Sequence, residues 1–227
     1  MIFKQFFDEQ SSTYTYIIGS EKNKESLIID SVAENVDEYF DFLNRNKLKL
    51  LFALDTHIHA DHISGMSLLY EKTGCKLFMG EHTTAEGLTR KLQNNEELRV
   101  GDMIVKVIFT PGHTSDSYCF LIDDMLFTGD TLLIGETGRT DFQNGNSESA
   151  YNSLFNIILK FPDDTKIYPG HDYNGKKSST VGYEKKTNPR LQVKSKEEYA
   201  NLMNKLDLPK PKKIDIAIPR NKKLGKK

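Results

Sequence analysis

Five of the six histidines in this chain of 227 residues lie soon after short apolar runs, in loops rich in Gly, Pro or Asp. The run Leu50–Leu54 ends in Asp55-Thr-His-Ile-His-Ala-Asp-His62, and two later runs are followed by His113 and His171. Loops at one rim of a rigid scaffold are where functional side chains are commonly placed. The chain is therefore expected to fold so that the ends of several strands meet at one rim.

Short strands are predicted along most of the chain, and a few longer segments have the apolar spacing of helices. The strands are predicted at Ile2–Phe7, Thr13–Ile18, Leu27–Asp30, Leu50–Leu54, Lys76–Met79, Ile104–Phe109, Tyr118–Ile122, Met125–Thr128 and Lys166–Tyr168. The helices are predicted at Asn35–Asn46, Ile63–Thr73, Ala150–Phe161 and Glu197–Leu206. Many short strands with few amphipathic helices indicate an α/β fold of two packed sheets with helices outside. No linker or repeat divides the chain, so a single domain over residues 1–227 is expected.

Composition excludes several classes of function. The net charge is -1, from 31 basic and 32 acidic residues, so no nucleic-acid partner is indicated. No apolar run approaches the roughly 18 residues that a membrane span needs, and the first residues do not form a signal peptide. Two cysteines outside any paired motif fit a reducing compartment. We expect a cytoplasmic protein, or one of the mitochondrial matrix in a eukaryote, with a solvated basic segment over residues 210–227.

The segment from His57 to His62 concentrates four residues of the types that bind metals. In an extended loop, residues two apart point the same way, so His57 and His59 are able to face one point. Asp61 and His62 are then able to face a second point beside the first. Imidazole and carboxylate groups together suit zinc, iron and similar divalent ions. Because one loop cannot surround a metal, the other ligands are expected from later strand ends, at His113, Asp130 and His171.

The stretch Thr56-His-Ile-His-Ala-Asp-His62 resembles the signature of the metallo-β-lactamase superfamily, and the later histidines and aspartate match its other ligands. The superfamily implies an αββα four-layer sandwich, with two mixed sheets and helices outside. Within it, the chain most resembles the persulfide dioxygenases. That resemblance covers the whole chain and is carried by Thr56–Gly65, Thr128–Ile134, Gly138–Gln143, Tyr168–Tyr173, Asn188–Leu191 and Leu208–Pro211.

The number of metals stays open when only the ligand-type residues are counted. There are enough of them for two zinc ions, which would activate a water and stabilise an oxyanion. One ion would be held by His57, His59, His113 and Asp130, and the other by Asp61, His62, His171 and the shared Asp130. This is the design of glyoxalase II, which cleaves a glutathione thioester.

The resemblance to the persulfide dioxygenases implies a different centre, with one iron(II) per chain. It assigns the iron to two histidines and a carboxylate, which leave three coordination positions open. The ligands so assigned are His57, His113 and Asp130. The remaining groups would serve catalysis by holding ligands and waters, and they are His59, Asp61, His62, His171 and Tyr173. We follow the family, because the matching stretches outside the histidines favour it.

The reaction that the resemblance implies takes glutathione persulfide, O2 and water to sulfite and glutathione, in hydrogen sulfide metabolism. A glutathione-like substrate carries two carboxylates, and Arg139 and Arg190 are the candidates to bind them or to brace the rim. Glu136 lies in a segment where many relatives carry a further arginine, so another low-molecular-weight thiol persulfide is an alternative substrate. A rhodanese sulfurtransferase partner and a homodimer are further possibilities that the sequence leaves open.

Two other functions stay open at this point. The first is a zinc-dependent hydroxyacylglutathione hydrolase, a thioesterase of the glyoxalase II type. The second is a non-catalytic sensor of iron or sulfide, although no segment resembles a partner-binding module. The metal content of the purified protein would separate the dioxygenase from the hydrolase.

Overall fold

Within residues 1–226, which the computed structural model describes, the chain forms twelve β-strands and six α-helices. The strands are β1 (Ile2–Asp8), β2 (Thr13–Gly19), β3 (Glu25–Ile29), β4 (Lys49–Leu54), β5 (Lys76–Gly80), β6 (Arg90–Leu92), β7 (Glu97–Val100), β8 (Met103–Phe109), β9 (Tyr118–Ile122), β10 (Met125–Gly129), β11 (Lys166–Pro169) and β12 (Ser179–Thr180). The helices are α1 (Val36–Arg45), α2 (Met66–Thr73), α3 (Ser147–Asn152), α4 (Val181–Thr187), α5 (Lys196–Met203) and α6 (Ile214–Asn221). No helix of residues 1–226 is long and apolar enough to cross a membrane.

The strands make two mixed sheets of six strands each. The first has the order β1-β2-β3-β4-β5-β6, antiparallel up to β3 and parallel from β3 to β6. The second has the order β12-β11-β10-β9-β8-β7, in which β10 and β11 form the parallel pair. Parallel neighbours need long crossover connections, and α1, α2 and α3 lie in three of these crossovers. Both sheets therefore combine hairpins with helical crossovers.

Three apolar layers confirm the predicted αββα sandwich. The layer between the sheets is rich in aromatic side chains, among them Tyr16, Phe120 and Phe127. A second layer packs α1 and α2 on the outer face of the first sheet, with Tyr39 of α1 only 1% exposed. A third packs α3 and α5 on the outer face of the second sheet. Each sheet is thus buried on both faces, and the helices lie outside.

Every predicted strand is present, with ends that differ by at most two residues. Three short strands (β6, β7 and β12) and two helices (α4 and α6) were not predicted. The predicted helix Ile63–Thr73 begins only at Met66, because Ser64 bonds instead to Asp55 and forms a β-bridge with Val32. The predicted helix Ala150–Phe161 is helical, but it changes from α3 to a π turn and then to a 3-10 turn.

The expectation of a solvated C-terminal segment is wrong for α6 and the residue Leu224, which are packed, although most of the lysines around them are exposed. Lys227 lies outside the described residues. Helix α6 packs against the first sheet, and its Ala217 is fully buried. Leu224, which follows α6, is only 1% exposed and belongs to the same apolar layer as α1 and α2. The charged residues of this segment concealed a short amphipathic helix, so its composition alone was misleading.

Asn221 ties α6 to the loop that holds the first histidines. Its side-chain Nδ2 donates to the carbonyl oxygens of His59 at 2.9 Å and His62 at 2.8 Å. Its Oδ1 accepts a hydrogen bond from the backbone N–H of Ser64 at 2.9 Å. Asn221 is only 3% exposed, so water cannot easily replace these bonds. One amide therefore fixes the backbone of the loop at three positions.

Replacing Asn221 by alanine should destabilise the fold. A buried polar group left without a partner costs about 1–3 kcal/mol, and several groups lose their partner together. A loss of about 2 kcal/mol corresponds to roughly 4–8 °C in the thermal midpoint of a chain of this size. The midpoint of the metal-free Asn221→Ala protein, measured by circular dichroism, checks this. Ile216→Ala, at a residue of the same helix that is 62% exposed, is the control, and equal midpoints for both variants would contradict the role of Asn221.

Candidate metal centre

The sequence-predicted ligands come together at one rim of the sandwich. Loop Asp55–Gly65 follows β4, Asp130 follows β10, and His171 lies just beyond β11. His113 lies in the connection between β8 and β9. A Cβ atom at Gly170 would lie 2.7 Å from Oδ1 of Asp130. Glycine at that position therefore lets the loop after β11 approach the loop after β10 closely enough for their side chains to bond.

Asp30, at the end of β3, holds the loop that carries the first histidines. Its Oδ1 accepts the backbone N–H of Thr56 at 2.7 Å and lies 3.1 Å from Nε2 of His59. Its Oδ2 accepts the hydroxyl of Thr56 at 2.9 Å. Asp30 is only 1% exposed and has a left-handed backbone with φ of 53°. A buried carboxylate with three partners fixes the loop more firmly than backbone bonds alone would.

His57, His113 and Asp130 form a group whose possible ligand atoms lie within 4.8 Å of one another. The hydroxyl of Thr56 donates to Asp30, so it accepts from Nδ1–H of His57 at 3.0 Å. Nδ1 of His113 donates to the carbonyl oxygen of Arg139 at 2.8 Å. Both imidazoles therefore keep the lone pair of Nε2 for a metal. Two such nitrogens and one carboxylate fit the donor preference of iron(II) or zinc.

The other four candidates lie beside this group. His171 bridges two carboxylates, with Nδ1 2.6 Å from Oδ1 of Asp130 and Nε2 3.0 Å from Oδ2 of Asp61. Oδ2 of Asp61 also lies 2.8 Å from Nδ1 of His62. His59 packs between its neighbours, with ring centroids 4.3 Å from His57 and 4.4 Å from His62. All seven predicted residues are therefore in one cluster.

Two buried imidazole nitrogens of this cluster have no hydrogen-bond partner within residues 1–226. They are Nδ1 of His59 and Nε2 of His62. Buried polar atoms without a partner are rare and call for a water or an ion. Possible ligand atoms of His59, Asp61 and His62 also lie within 4.8 Å of one another. A second metal would use these atoms, whereas a centre with one metal would leave them to water.

The protonation states of His57 and Asp130 suit metal binding. Burial lowers the pKa of His57, and the neighbouring imidazoles of His59 and His113 lower it further, so its imidazole is neutral. Burial would raise the pKa of Asp130, but the charge and hydrogen bond of His171 outweigh it and hold that pKa below the usual range. A neutral imidazole and an ionised carboxylate are the forms that coordinate a metal.

Protonation of the remaining histidines follows their carboxylate partners. Burial opposes the charged form of His59, yet the charge of Asp30 and the bond to it raise its pKa to about 9. Burial also opposes the charged form of His171, but Asp130 and Asp61 raise its pKa well above the ordinary value. Without a metal, both imidazoles are therefore held as cations between acids.

Tyr173 lies at the outer edge of the centre and is 65% exposed. Its ring is parallel to that of His171, within 7°, at a centroid distance of 6.2 Å. The turn that carries it is held by Asp172, whose Oδ2 accepts the backbone N–H groups of Asn174 at 2.8 Å and Lys176 at 2.7 Å. Tyr173 is thus placed to meet a molecule that approaches His171 from solvent.

The two arginines make hydrogen bonds inside the protein. Arg139 donates two to Asp141, at 2.7 and 2.8 Å, and one each to the carbonyl oxygens of Leu208 and Pro209, at 3.1 and 2.7 Å. Arg190 donates to Oε2 of Glu136 at 2.9 Å and to a neighbouring carbonyl. The predicted role of these arginines in substrate binding stays a prediction, and these bonds favour a bracing role for Arg139.

Sequence reasoning missed Asp30 and Thr13 as members of the site. Asp30 follows the apolar run Leu27–Ile29 directly, so the rule that served for the histidines would have drawn attention to it. The hydroxyl of Thr13 lies 3.0 Å from Oδ2 of Asp61 and 3.1 Å from Nε2 of His171. Thr13 begins a strand rather than ending one, and no local signal marks it.

Comparison with known proteins agrees with this geometry. Residues 9–171 match the model of the metallo-beta-lactamase superfamily. The chain is 39% identical to persulfide dioxygenase ETHE1 of Bos taurus over 99% of this chain and 89% of that protein, and 38% identical to the human protein over the same shares. The hydroxyacylglutathione hydrolase of Dictyostelium discoideum is also 38% identical, but over 70% of this chain and 62% of that protein.

Comparison of the fold with solved structures leads to the same family as comparison of the sequence. The crystal structure of ETHE1 from Myxococcus xanthus superimposes with a TM-score of 0.97 and is 44% identical, covering 99% of this chain and 100% of that one. The αββα sandwich, the cluster of histidines and aspartates at its rim, and likeness over nearly the whole chain lead to one assignment. The chain belongs to the metallo-β-lactamase superfamily and, within it, to the persulfide dioxygenase family.

Proposed function

We propose that this chain is an iron(II)-dependent dioxygenase that oxidises a low-molecular-weight thiol persulfide. The observation that carries the proposal is likeness to persulfide dioxygenases at 39% identity over 99% of the chain. For glutathione persulfide, one O2 and one water give sulfite, glutathione and two protons. The outer sulfur is oxidised, O2 is reduced, and the sulfur–sulfur bond breaks with the thiol as leaving group.

One iron(II) would be held by Nε2 of His57, Nε2 of His113 and a carboxylate oxygen of Asp130. These donors are neutral nitrogens and an ionised oxygen, with Oδ2 of Asp130 3.5 Å from Nε2 of His113. When bound, the iron supplies the redox chemistry between O2 and the sulfur. The protein's own share is to aim these atoms, and the bonds from Thr56 and Arg139 to the two Nδ1 atoms do so.

The other residues of the cluster would hold the ligands in place. His171 keeps a proton on Nδ1 against Oδ1 of Asp130, which leaves Oδ2 of that carboxylate for the metal. Asp61, which also bonds to His62, holds His171 from behind, and His59 is held by Asp30. Tyr173, exposed beside His171, would contact the substrate. Outer groups of this kind commonly change metal affinity or activity by about 10–100-fold.

Substrate, partners and location are part of the same proposal. The substrate is glutathione persulfide or a related thiol persulfide, with Arg139 and Arg190 as candidates to contact its carboxylates. A rhodanese sulfurtransferase is a candidate source of the persulfide, and a homodimer is a candidate assembly. The curated mammalian relatives are named as mitochondrial proteins, and we place this chain in the cytoplasm, or in the mitochondrial matrix if it is eukaryotic.

A zinc-dependent thioesterase is the second candidate function. Its support is the second group of possible ligand atoms, on His59, Asp61 and His62. The likeness to a hydroxyacylglutathione hydrolase over 70% of the chain points the same way. In that case both groups of residues would hold zinc, with Asp130 shared between them, and the zinc would supply activation of a water for hydrolysis of the thioester.

The metal content separates the two functions. Protein produced in iron-replete cells and purified without added metal should carry close to one iron per chain and little zinc. It should consume O2 and release sulfite when given glutathione persulfide. Plasma emission spectrometry and an oxygen electrode check both statements. Two zinc ions per chain, with hydrolysis of S-lactoylglutathione and no uptake of O2, would establish the hydrolase instead.

Alanine variants of the proposed iron ligands should lose iron, whereas alanine variants of the neighbouring histidines should keep it. His57→Ala, His113→Ala and Asp130→Ala should each abolish iron binding, because a site with three protein ligands has none to spare. His62→Ala and His171→Ala should retain iron, with affinity or rate reduced by about 10–100-fold. Iron content after dialysis, together with O2 uptake, measures both effects. An iron content as low in His171→Ala as in His113→Ala would contradict a centre with one metal.

Arg139→Ala tests whether that arginine braces the loop. Because the side chain already makes four hydrogen bonds within the protein, we expect a midpoint lower by several degrees, with turnover lost in proportion to iron. Arg139→Lys should recover only part of the midpoint, since an ammonium cannot reproduce the planar fork.

Asp141→Asn is the matched variant, because it weakens the ion pair and leaves the guanidinium in place.

Substrate anchoring would give the opposite result for Arg139→Ala. Iron content and midpoint would then be normal, while kcat/KM would fall by about 10–150-fold, the value of a charged hydrogen bond of about 1.5–3 kcal/mol.

A further inference from the structure

The hydroxyl of Thr13 lies among the residues that a second metal would need. It is 3.0 Å from Oδ2 of Asp61, 3.3 Å from Nδ1 of His62 and 3.1 Å from Nε2 of His171. Thr13 is fully buried, at 0% exposure. A hydroxyl offers one donor and two acceptor positions, so it is able to donate to either Ser11 or Asp61 while it accepts from the imidazoles. Asp61, His62 and His171, which would hold a second metal, thus all have contacts with Thr13 without an ion.

The position of Thr13 is fixed from two sides. Its backbone forms a β-bridge with His171, and the next N–H, of Tyr14, donates to the carbonyl oxygen of Gly170 at 2.7 Å. Its hydroxyl lies 2.7 Å from Oγ of Ser11. Ser11 is held in turn by Asp8, whose Oδ2 accepts both its N–H and its hydroxyl, at 2.8 and 2.7 Å. The hydroxyl therefore cannot move aside without breaking these contacts.

The three groups also fail to converge on one point. His62 presents Nδ1 to Asp61, and the two nitrogens of an imidazole direct their lone pairs apart, so its Nε2 points elsewhere. Both nitrogens of His171 face carboxylate oxygens. Nε2 of His62 is free within the described part of the chain, but a second ion would have to break the bonds from Thr13 to Asp61 and to His171 before it could gain those two ligands. Each step costs free energy, whereas an ion that binds to His57, His113 and Asp130 does not have to break bonds to Thr13.

We propose that Thr13 is a specificity-determining residue that restricts the centre to one metal. It does so by joining Asp61, His62 and His171 in a hydrogen-bonded cluster in place of a second ion. This inference rests on the proposed function, since it concerns the same centre. It explains how a chain with ligand-type residues for two metals would bind one.

Metal titration of three variants tests the proposal. Metal-free protein is titrated with zinc, and the number bound is measured by equilibrium dialysis with emission spectrometry. The unaltered chain and Thr13→Ser, which keeps the hydroxyl, should bind one zinc. Thr13→Ala should bind two, with affinity for the second ion increased by about 10–100-fold, the range that outer groups control. Thr83→Ala, which removes a buried hydroxyl elsewhere, should bind one and shows that loss of stability alone does not add a metal.

The possible failures are distinguishable. One zinc in both the unaltered chain and Thr13→Ala, with a folded circular dichroism spectrum, would overturn the role of Thr13 and leave the proposed function intact. Two zinc ions in the unaltered chain would overturn both the role of Thr13 and the mononuclear centre. If Thr13→Ala does not fold, Thr13→Val replaces it, because valine has a similar shape and no hydroxyl. Thr13→Val should also bind two zinc ions, and one zinc in a folded Thr13→Val protein would count against the proposal.

Discussion

The carboxylate of Asp30 is the interaction on which the metal centre depends. It accepts the N–H and the hydroxyl of Thr56 and lies within hydrogen-bond distance of His59. The hydroxyl of Thr56, once it donates to Asp30, accepts Nδ1–H of His57. One buried acid therefore directs two imidazoles and sets which nitrogen of each is free. The left-handed backbone of Asp30, with φ of 53°, is a strain that this arrangement offsets.

The second sheet supplies the other half of the centre through its parallel pair. Strands β10 and β11 end side by side, so Asp130 and His171 bond directly. The same His171 faces Asp61 of the loop after β4 and thereby joins the two sheets. Because two sheets packed face to face offer several loops at one rim, the ligands need not come from neighbouring parts of the chain. The crossover helices bury the outer faces and keep these strand ends rigid.

The sequence predicted that the candidate ligands lie together at one rim, because each follows a short apolar run, and that pattern is local. It did not predict Thr13 or Asn221, since their roles arise from contacts with residues far away in the chain. Thr13 meets His171 across 158 positions, and Asn221 meets His59 across 162. The late start of α2 has the same origin, because Ser64 bonds to Asp55 and Asn221 rather than continuing a helix. Periodicity reports burial within a segment, and it carries no information about such partners.

The charge balance at the rim bears on the choice of persulfide. The carboxylate of Glu136 pairs with Arg190, whose side chain is 12% exposed. This pair leaves less positive charge for an anionic substrate than an unpaired arginine would. Arg139 is likewise occupied by Asp141 and two carbonyls. A substrate with two carboxylates would have to displace these partners, at a cost in desolvation and lost bonds. Binding at these arginines would therefore cost more free energy for a substrate with two carboxylates than for one with fewer.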